Sequence, residues 1–272
     1  MDVHKKSWSV CILTDRFEHK TFSQPPDVGI LVNYLQRNFP GALYHAVYEA
    51  GFSGFWTHDR LQEHGVECMV TNPADIPTKD KERAGKTDRV DCRKLARSLR
   101  SGELEGIYVP SRSAVEDRSL LRTRRGMVKK QTRSKNQITS LLAFYGIQIP
   151  EEVAQSRWSK RFITWIDAVR MERASGNYAL RAHLDELQHT RQLLADLNRN
   201  VLALSKTEEY RVNVKLLKTV PGISTLTAMT LLTELNDINR FSSLDRLASY
   251  VGLIPNTNSS GEKNTTTGIT YR

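Results

Sequence analysis

The fold is set by one stretch in the first half of the chain, which runs Lys86-Thr87-Asp88-Arg89-Val90-Asp91-Cys92-Arg93-Lys94-Leu95-Ala96-Arg97-Ser98-Leu99. This pattern predicts a helix from Asp88 to Leu99 whose buried face carries Cys92 and Leu95. Extended one turn towards the N-terminus, the same face carries Asp88 and Asp91. Two carboxylates near a protein core are costly, and a divalent metal would compensate their charge. The alternative is that these residues only stabilise the start of the helix. Acids in the first turn interact favourably with the helix dipole, and Thr87 or Asp88 can serve as the N-cap.

The residues on either side of this helix alternate between strand-like and helix-like runs. Apolar and β-branched runs indicate strands, and amphipathic runs between them indicate helices. The alternation predicts an α/β domain with a mixed sheet to about residue 110. The predicted strands are 7–13, 18–22, 43–48, 67–70 and 106–110, and the predicted helices before the Asp88 helix are 27–35 and 53–64.

Glu49 stands directly after the predicted strand 43–48 and before Gly51. Functional sites in α/β sheets form beyond the carboxyl ends of strands. A strand-to-helix loop would therefore hold Glu49 against the start of the Asp88 helix. The alternative is a solvated acid at the rim of the sheet.

Charge and cysteine content narrow the classes of function. The 272 residues carry a net charge of +10, from 40 Lys and Arg against 30 Asp and Glu, which favours a polyanionic partner. No apolar run approaches the roughly 18 residues of a membrane span, so we predict a cytoplasmic protein with no membrane partner. The three cysteines have neither disulfide-framework nor zinc-site spacing, and we expect reduced, buried thiols.

Residues 111–208 are predicted to form a basic helical stalk. The first part of the stalk is rich in Lys and Arg, which would neutralise the phosphates of a nucleic acid. The alternative is that this charge only forms a solvated helix face. A leucine repeat over 180–204, interrupted at Arg191, predicts an antiparallel helical pair or a short coiled coil that could also dimerise. Trp158, Phe162, Ile163 and Trp165 are interpreted as core rather than as base-stacking residues. We assign nucleic-acid contacts to Lys86, Arg89, Arg122, Arg124, Arg125, Lys129, Lys130 and Arg133.

The last segment, 209–272, begins with two predicted helices joined at Pro221-Gly222, the second capped by Ser224. This pattern is similar to a helix-hairpin-helix unit whose turn amides grip a phosphate, and an ordinary helical hairpin is equally open. The polar stretch 256–261 predicts irregular structure, either a functional loop or a frayed tail.

Several short motifs occur in a fixed order along the chain. They are Asp-Val-His-Lys at 2–5, Tyr-Glu-Ala-Gly at 48–51, Lys-Thr-Asp-x-x-Asp at 86–91, Val-Pro-Gly-Ile at 220–223 and Gly-Leu-x-Pro at 252–255 before Ser-Ser-Gly at 259–261. This ordered set resembles the DEDD transposases of the insertion-sequence-110 family. The resemblance implies a RuvC-like (RNase H-like) α/β domain over 1–110, a coiled-coil stalk over 111–208 and a mainly α-helical transposase domain over 209–272. It also implies a noncoding bridge RNA, donor and target DNA, and a homo-oligomer, dimer or tetramer, as partners.

The same resemblance implies the site residues. The metal-binding acids, which would hold Mg²⁺, are Asp2, Glu49, Asp88 and Asp91. Ser260 would be the nucleophile, with Ser259 as its neighbouring candidate. Because no histidine lies near Ser260 in the sequence, the metal, or a basic residue such as Lys263 or Arg272, would have to assist it. Mg²⁺ prefers such hard oxygen ligands. Serine attack on phosphorus would split strand exchange into two transesterifications.

Two other functions remain open at this point. A RuvC-like nuclease would use the acids without the serine to hydrolyse branched DNA, and a non-catalytic protein would bind RNA and DNA with purely structural acids. The sequence departs from the family pattern at both ends, because Asp2 follows Met1 directly and the chain stops at Arg272. The family pattern predicts further residues before the first aspartate and further helices after the last motif.

Overall fold

The computed structural model of the chain describes residues 1–76, 87–260 and 263–269. The chain divides into two compact units, Met1–Val109 and Pro110–Arg272. Lys86, Gly261 and Arg272, which carried predictions, lie outside the described residues. Each unit is described by itself.

The first unit is an α/β fold, as predicted. Its strands and helices alternate along the chain close to the predicted positions, except that the predicted strand 106–110 forms an isolated bridge. In chain order they are β1 (Asp2–Val3), β2 (Trp8–Leu13), β3 (Glu18–Gln24), α1 (Val28–Asn38), β4 (Tyr44–Glu49), α2 (Trp56–Glu63), β5 (Val66–Thr71), a 3₁₀ turn (Pro73–Asp75) and α3 (Asp88–Ser101).

The described strands of this unit form two sheets, which differs from the single mixed sheet that the sequence predicted. The first is antiparallel in the order β1-β2-β3, and the second pairs β4 with β5 in parallel. β1 has only two residues, too few to pair on both sides in a full ladder. The Met1 nitrogen nevertheless donates to the Val47 carbonyl at 2.7 Å, so β1 lies beside β4. The predicted strand 106–110 contributes a bridge between Gly106 and Thr71.

The core of the first unit lies between the sheets and the helices. Trp8, Tyr48 and Leu61 are fully buried in it. Helix α3 buries Cys92 and Leu95, as predicted. The prediction that the acids on the same face lie near the core is wrong for Asp88, which is exposed at the start of the helix, while Asp91 is half-buried. All three cysteines are free and buried, as expected.

The second unit begins with two long helices that pack on each other. α4 (Arg112–Phe144) and α7 (Ala174–Leu204) bury Ile138, Leu142, Leu184 and Leu187 between them. Two short helices lie between them in the chain, α5 (Glu151–Ala154) and α6 (Lys160–Ala168). Phe162 is buried there, with Trp158 and Trp165 packed beside it, as predicted for core residues.

Two details concern the end of one helix and the continuity of the other. α4 ends at Phe144, because Gly146 takes a positive φ of 65° just after it. α7 is continuous through Arg191, where the leucine repeat is interrupted. The Arg191 guanidinium donates to the Trp158 carbonyl, so the polar residue is held by a hydrogen bond without breaking the helix.

The remainder of the second unit is a helical hairpin followed by a third helix and two strands. α8 (Glu208–Leu217) and α9 (Thr225–Leu235) are joined by a turn with Gly222 at a φ of 87°. The Ser224 hydroxyl accepts from the Thr227 amide at 3.2 Å, which confirms the predicted cap. α10 spans Leu244–Val251.

The prediction of irregular structure over 256–261 is wrong for the described residues of that stretch. β6 (Pro255–Ser260) pairs in antiparallel fashion with β7 (Lys263–Ile269). β-branched Thr265–Thr267 favour a strand, and the ladder satisfies backbone groups that a loop would expose to water.

Among the described residues, no helix is long and apolar enough to cross a membrane.

Candidate active site

Two of the predicted acids lie together with a histidine. One ligand atom from each of Asp2, His4 and Asp88 lies within 4.8 Å of the others. His4 Nε2 is 3.2 Å from Asp2 Oδ2 and 3.7 Å from Asp88 Oδ2. The residues are 86 positions apart in sequence, so the fold, not local chain geometry, brings the carboxylates together.

Each acid is held by a defined element. Asp2 belongs to β1 and faces Ser9 in the ladder with β2. Asp88 is the first residue of α3, whose N-cap Thr87 accepts from the Val90 amide at 3.3 Å. α3 packs against β1, β2 and β4, which fixes the start of the helix beside Asp2.

Of this group, Asp2 is partly buried, whereas His4 and Asp88 are exposed. Burial raises the pKa of Asp2 above its ordinary value, and the Asp88 and Asp91 carboxylates raise the same pKa further. His4 opposes these effects through its charge and its hydrogen bond. Asp2 is therefore a carboxylate whose ionised form is costly without a nearby cation.

The other two predicted acids lie outside the group of three. Asp91 is one turn further along α3, close enough for its charge to act on Asp2. Glu49 is the last residue of β4, opposite Thr71 of β5, so it ends a strand as predicted. The loop after β4 is tied to the Asp2–His4 segment, because Lys5 Nζ lies 5.8 Å from the centre of the Phe52 ring.

Sequence reasoning assigned no role to His4. The signal was present, because residues two apart in an extended segment point to the same side. Asp2 and His4 have this spacing, and their side chains meet.

The predicted serine nucleophile lies in the second unit. Ser260 is the last residue of β6, and its backbone pairs with Lys263, the first residue of β7. Ser259 pairs with Asn264. The candidate serine and the candidate basic residue are therefore opposite one another where the two strands meet.

The predicted nucleic-acid contacts fall into two groups. Some arginines are engaged within the protein: Arg122 Nε and Nη2 donate to the two Glu234 carboxylate oxygens at 2.8 and 2.7 Å, and Arg124 donates to Asn198. Lys129, Lys130 and Arg133 are exposed and have no acidic partner within the part of the chain that the structure describes. Arg89 and Arg125 are also exposed.

An α/β unit with an acidic cluster, followed by helices that carry exposed positive charge, is typical of the class of proteins that process nucleic acids. Residues 1–147 match the family model for DEDD transposases of the IS110 type, and residues 214–272 match the model described as the IS116/IS110/IS902 transposase family. The first match covers more than half of the chain. The chain belongs to the IS110 family of transposases.

Individual relatives agree with the family. The chain is 29% identical to "Putative transposase y4qE" of Sinorhizobium fredii (strain NBRC 101917 / NGR234), over 82% of this chain and 53% of that protein. It is 25% identical to the transposase for insertion sequence element IS1533 of Leptospira borgpetersenii, over 87% of this chain and 69% of that protein. It is 24% identical to the transposase for insertion sequence element IS1111A of Coxiella burnetii (strain RSA 493 / Nine Mile phase I), over 76% of this chain and 56% of that protein. The chain spans about half to two thirds of the length of these relatives.

Proposed function

We propose that the protein is an RNA-guided DNA recombinase that moves an insertion sequence by cutting and rejoining DNA. The observation that supports this most strongly is that Asp2, a partly buried acid whose pKa is raised by burial, lies with His4 and Asp88 in one group of possible metal ligands. Family membership supplies the class of reaction. In this proposal residues 1–110 are the acidic RuvC-like domain, 111–208 the stalk and 209–272 the serine-bearing domain.

The acidic group suits Mg²⁺. Asp2 and Asp88 would hold the ion, completed by Asp91 and Glu49, since all four offer the hard oxygens that Mg²⁺ prefers. When bound, the ion supplies charge neutralisation at a scissile phosphate. In this proposal His4 Nε2 donates to Asp2 Oδ2, 3.2 Å away, and thereby orients that carboxylate.

Ser260 would carry the covalent step. Its hydroxyl attacks the phosphorus of one DNA strand, an ester bond forms between Ser260 and phosphorus, and a sugar hydroxyl leaves with a proton. A sugar hydroxyl of the second DNA then attacks the phosphoserine, rejoins the backbone and releases Ser260. Lys263, paired with Ser260 in the hairpin backbone, is the basic residue proposed to assist proton transfer.

The acids and the serine belong to different units, and in an oligomer they can also come from different subunits. We therefore propose a dimer or tetramer with bridge RNA and both DNAs bound on its positively charged surfaces. Arg89, Arg125, Lys129, Lys130 and Arg133 are exposed and available for phosphate contacts. Lys86 is proposed to join them.

A RuvC-like nuclease is the second candidate. All four proposed metal-binding acids belong to the first unit and none to the second, and this favours a reaction that needs no serine. Such an enzyme would release free DNA ends and form no bond to the protein.

One experiment separates the candidates. The protein is incubated with its copurified RNA, Mg²⁺ and labelled DNA carrying the element's junction, and a denaturing gel detects protein-linked DNA. We expect a linked band that is lost in Ser260→Ala and in Asp88→Asn and retained in Asp15→Asn, which removes an exposed carboxylate elsewhere in the same unit. Free ends that persist in Ser260→Ala would establish the nuclease instead. Binding without cleavage, unchanged in Asp88→Asn, would indicate a non-catalytic protein.

A further inference from the structure

The positive charge of α4 is distributed unevenly once the contacts within the protein are considered. In the first half of the helix, Arg112 pairs with Glu116 at 3.1 Å, and Arg118 and Arg122 both lie within 4 Å of Glu234. Internal carboxylates thus neutralise much of that half. Further along, Lys129, Lys130 and Arg133 have no such partner among the described residues, so the free charge of the helix is concentrated near its middle.

A groove runs from this free charge to the end of the helix. It has a volume of about 710 Å³ and is lined by one stripe of α4 together with His183 of α7. Lys129 and Arg133 lie at one end, and Phe144 lies at the other. Between them, Asn136 and Ser140 offer amide and hydroxyl groups that can both donate and accept hydrogen bonds.

The apolar end of the groove presents an open aromatic surface. Phe144 is 82% exposed, although Phe is ordinarily among the more buried residue types. Tyr145 packs against it edge to face, with ring centres 5.2 Å apart and an interplanar angle of 88°, and is itself exposed. This contact supports Phe144 from one side and leaves the ring available for stacking on the other.

We infer that the groove between α4 and α7 binds unpaired nucleotides of a single-stranded nucleic acid, with phosphates at Lys129 and Arg133 and a base stacked on Phe144. From Arg133 to Phe144 is 11 residues, or about 16 Å along a helix, which is enough for several nucleotides. The inference rests on the proposed function only in taking a nucleic acid as the partner.

The chemistry selects single strands over duplexes. Base faces in a duplex are stacked on one another and do not reach an aromatic side chain, whereas unpaired bases do. The combination of free cations, hydrogen-bonding side chains and an exposed ring matches the way proteins bind single strands. RNA and DNA share this chemistry, and the experiment therefore includes both.

The test measures the binding of three labelled ligands to the full chain. They are a twelve-nucleotide oligouridylate, a twelve-nucleotide oligothymidylate and a mixed-sequence duplex. Phe144→Leu keeps an apolar side chain and removes the π-face, and we expect about 10-fold weaker binding of the single strands with duplex binding unchanged. Lys129→Gln should reduce the slope of log K against log salt by about 0.7 for the single strands. Arg112→Gln, whose charge is already paired on the same helix, is the matched control and should leave both quantities unchanged.

Photocrosslinking locates the contact. Oligonucleotides carrying 5-iodouracil should crosslink to Phe144 or Tyr145, as read from the modified peptide by mass spectrometry. Crosslinking by the RNA alone, by the DNA alone or by both supports the inference and identifies the strand.

Three results would overturn it. These are unchanged single-strand affinity in Phe144→Leu, crosslinks confined to other surfaces, or a change in oligomeric state of that variant that would make the aromatic end an interface between copies. Thermal unfolding of Phe144→Leu confirms that the variant is folded. A variant that keeps both its single-strand affinity and the Ser260-linked DNA band would refute the groove while leaving the proposed function intact.

Discussion

Asp2 is partly buried beside Asp88, with Asp91 one turn further along the same helix. The fold places the Asp2 carboxyl on the short strand β1, and His4 is the one basic side chain that contacts it among the described residues. Because burial and the neighbouring carboxylates raise the pKa of Asp2, we propose that a cation bound here would favour its ionised form.

The first prediction concerns this carboxyl. Asp88→Asn removes a charge that raises the pKa of Asp2, so the Asp2 pKa should move down towards its ordinary value. The raised pKa means that the folded chain holds the Asp2 proton more tightly than the unfolded chain. The free energy of unfolding therefore falls as pH rises from the Asp2 pKa of the unfolded chain through the Asp2 pKa of the folded chain. This fall should be smaller in the variant. Carbon-detected NMR titration of the Asp2 carboxyl measures the pKa directly.

The control for that titration is Asp15→Asn, which removes an exposed carboxylate outside the cluster. An Asp2 pKa that moves equally in both variants would show a general charge effect rather than contact with Asp88.

At this scale the sequence predicted part of the site. The spacing of Asp88 and Asp91 on a helix indicated an acidic pair, and the meeting with Asp2 followed only from a resemblance, because no local pattern encodes a contact across 86 residues. His4 was missed since a lone histidine carries no ligand pattern, although its spacing from Asp2 was readable.

Among the elements, the contact between α4 and α9 is set by Arg122 and Glu234. The hydrogen bonds from Arg122 hold the pKa of Glu234 below its ordinary value. Glu234→Gln should lower the free energy of unfolding by about 1 kcal/mol at neutral pH. A lowered carboxyl pKa stabilises the folded chain at pH values above the Glu234 pKa of the unfolded chain. The difference in free energy of unfolding between the variant and the unaltered protein should therefore disappear as pH falls through the Glu234 pKa of the folded chain. Urea unfolding at pH 7 and at pH 3 measures both quantities.

Glu116→Gln is the corresponding control, because its pair with Arg112 is largely exposed and worth little. If Glu116→Gln lowers the free energy of unfolding as much as Glu234→Gln does, the partial burial of the Arg122–Glu234 pair does not determine its contribution to stability.

The α4–α7 pair depends on a narrow apolar seam. Leu187 is fully buried within it, so Leu187→Ala should cost about 2–5 kcal/mol through lost burial and a residual cavity. Leu202→Ala, at an exposed position of the same helix, should cost about 0.5 kcal/mol or less. Equal losses, measured by denaturant unfolding, would contradict the observed packing.

Helices and strands were predictable to different degrees. Leu180, Leu184 and Leu187 recur at helical spacing, and the structure buries all three. The β6–β7 pairing was missed because Asn and Ser favour turns in isolation, whereas strand formation depends on the partner strand.

For the whole molecule, the net charge of +10 predicts nucleic-acid binding that weakens steeply with salt. Replacing Lys129, Lys130 and Arg133 by Gln should reduce the slope of log K against log salt for duplex DNA by about 2.7, at about 0.9 for each phosphate contact. Fluorescence anisotropy across a salt series gives this slope.

An equally charged control uses residues that are already paired. Replacing Arg112, Arg181 and Arg199 by Gln removes the same charge from positions that contact Glu116, Asp167 and Asp196. The slope should change much less. Equal changes in the two triple variants would show that total charge, and not the free cations of α4, determines affinity.

The most direct test of the acidic site is Mn²⁺ binding followed by electron paramagnetic resonance, with Mn²⁺ standing in for Mg²⁺ at oxygen ligands. The full chain should bind the ion saturably, and Mg²⁺ should compete for the same site. Asp2→Asn and Asp88→Asn should each abolish that binding, while Asp15→Asn should leave it unchanged. Binding that survives in both cluster variants, or that is lost equally in Asp15→Asn, would contradict a metal site at Asp2 and Asp88.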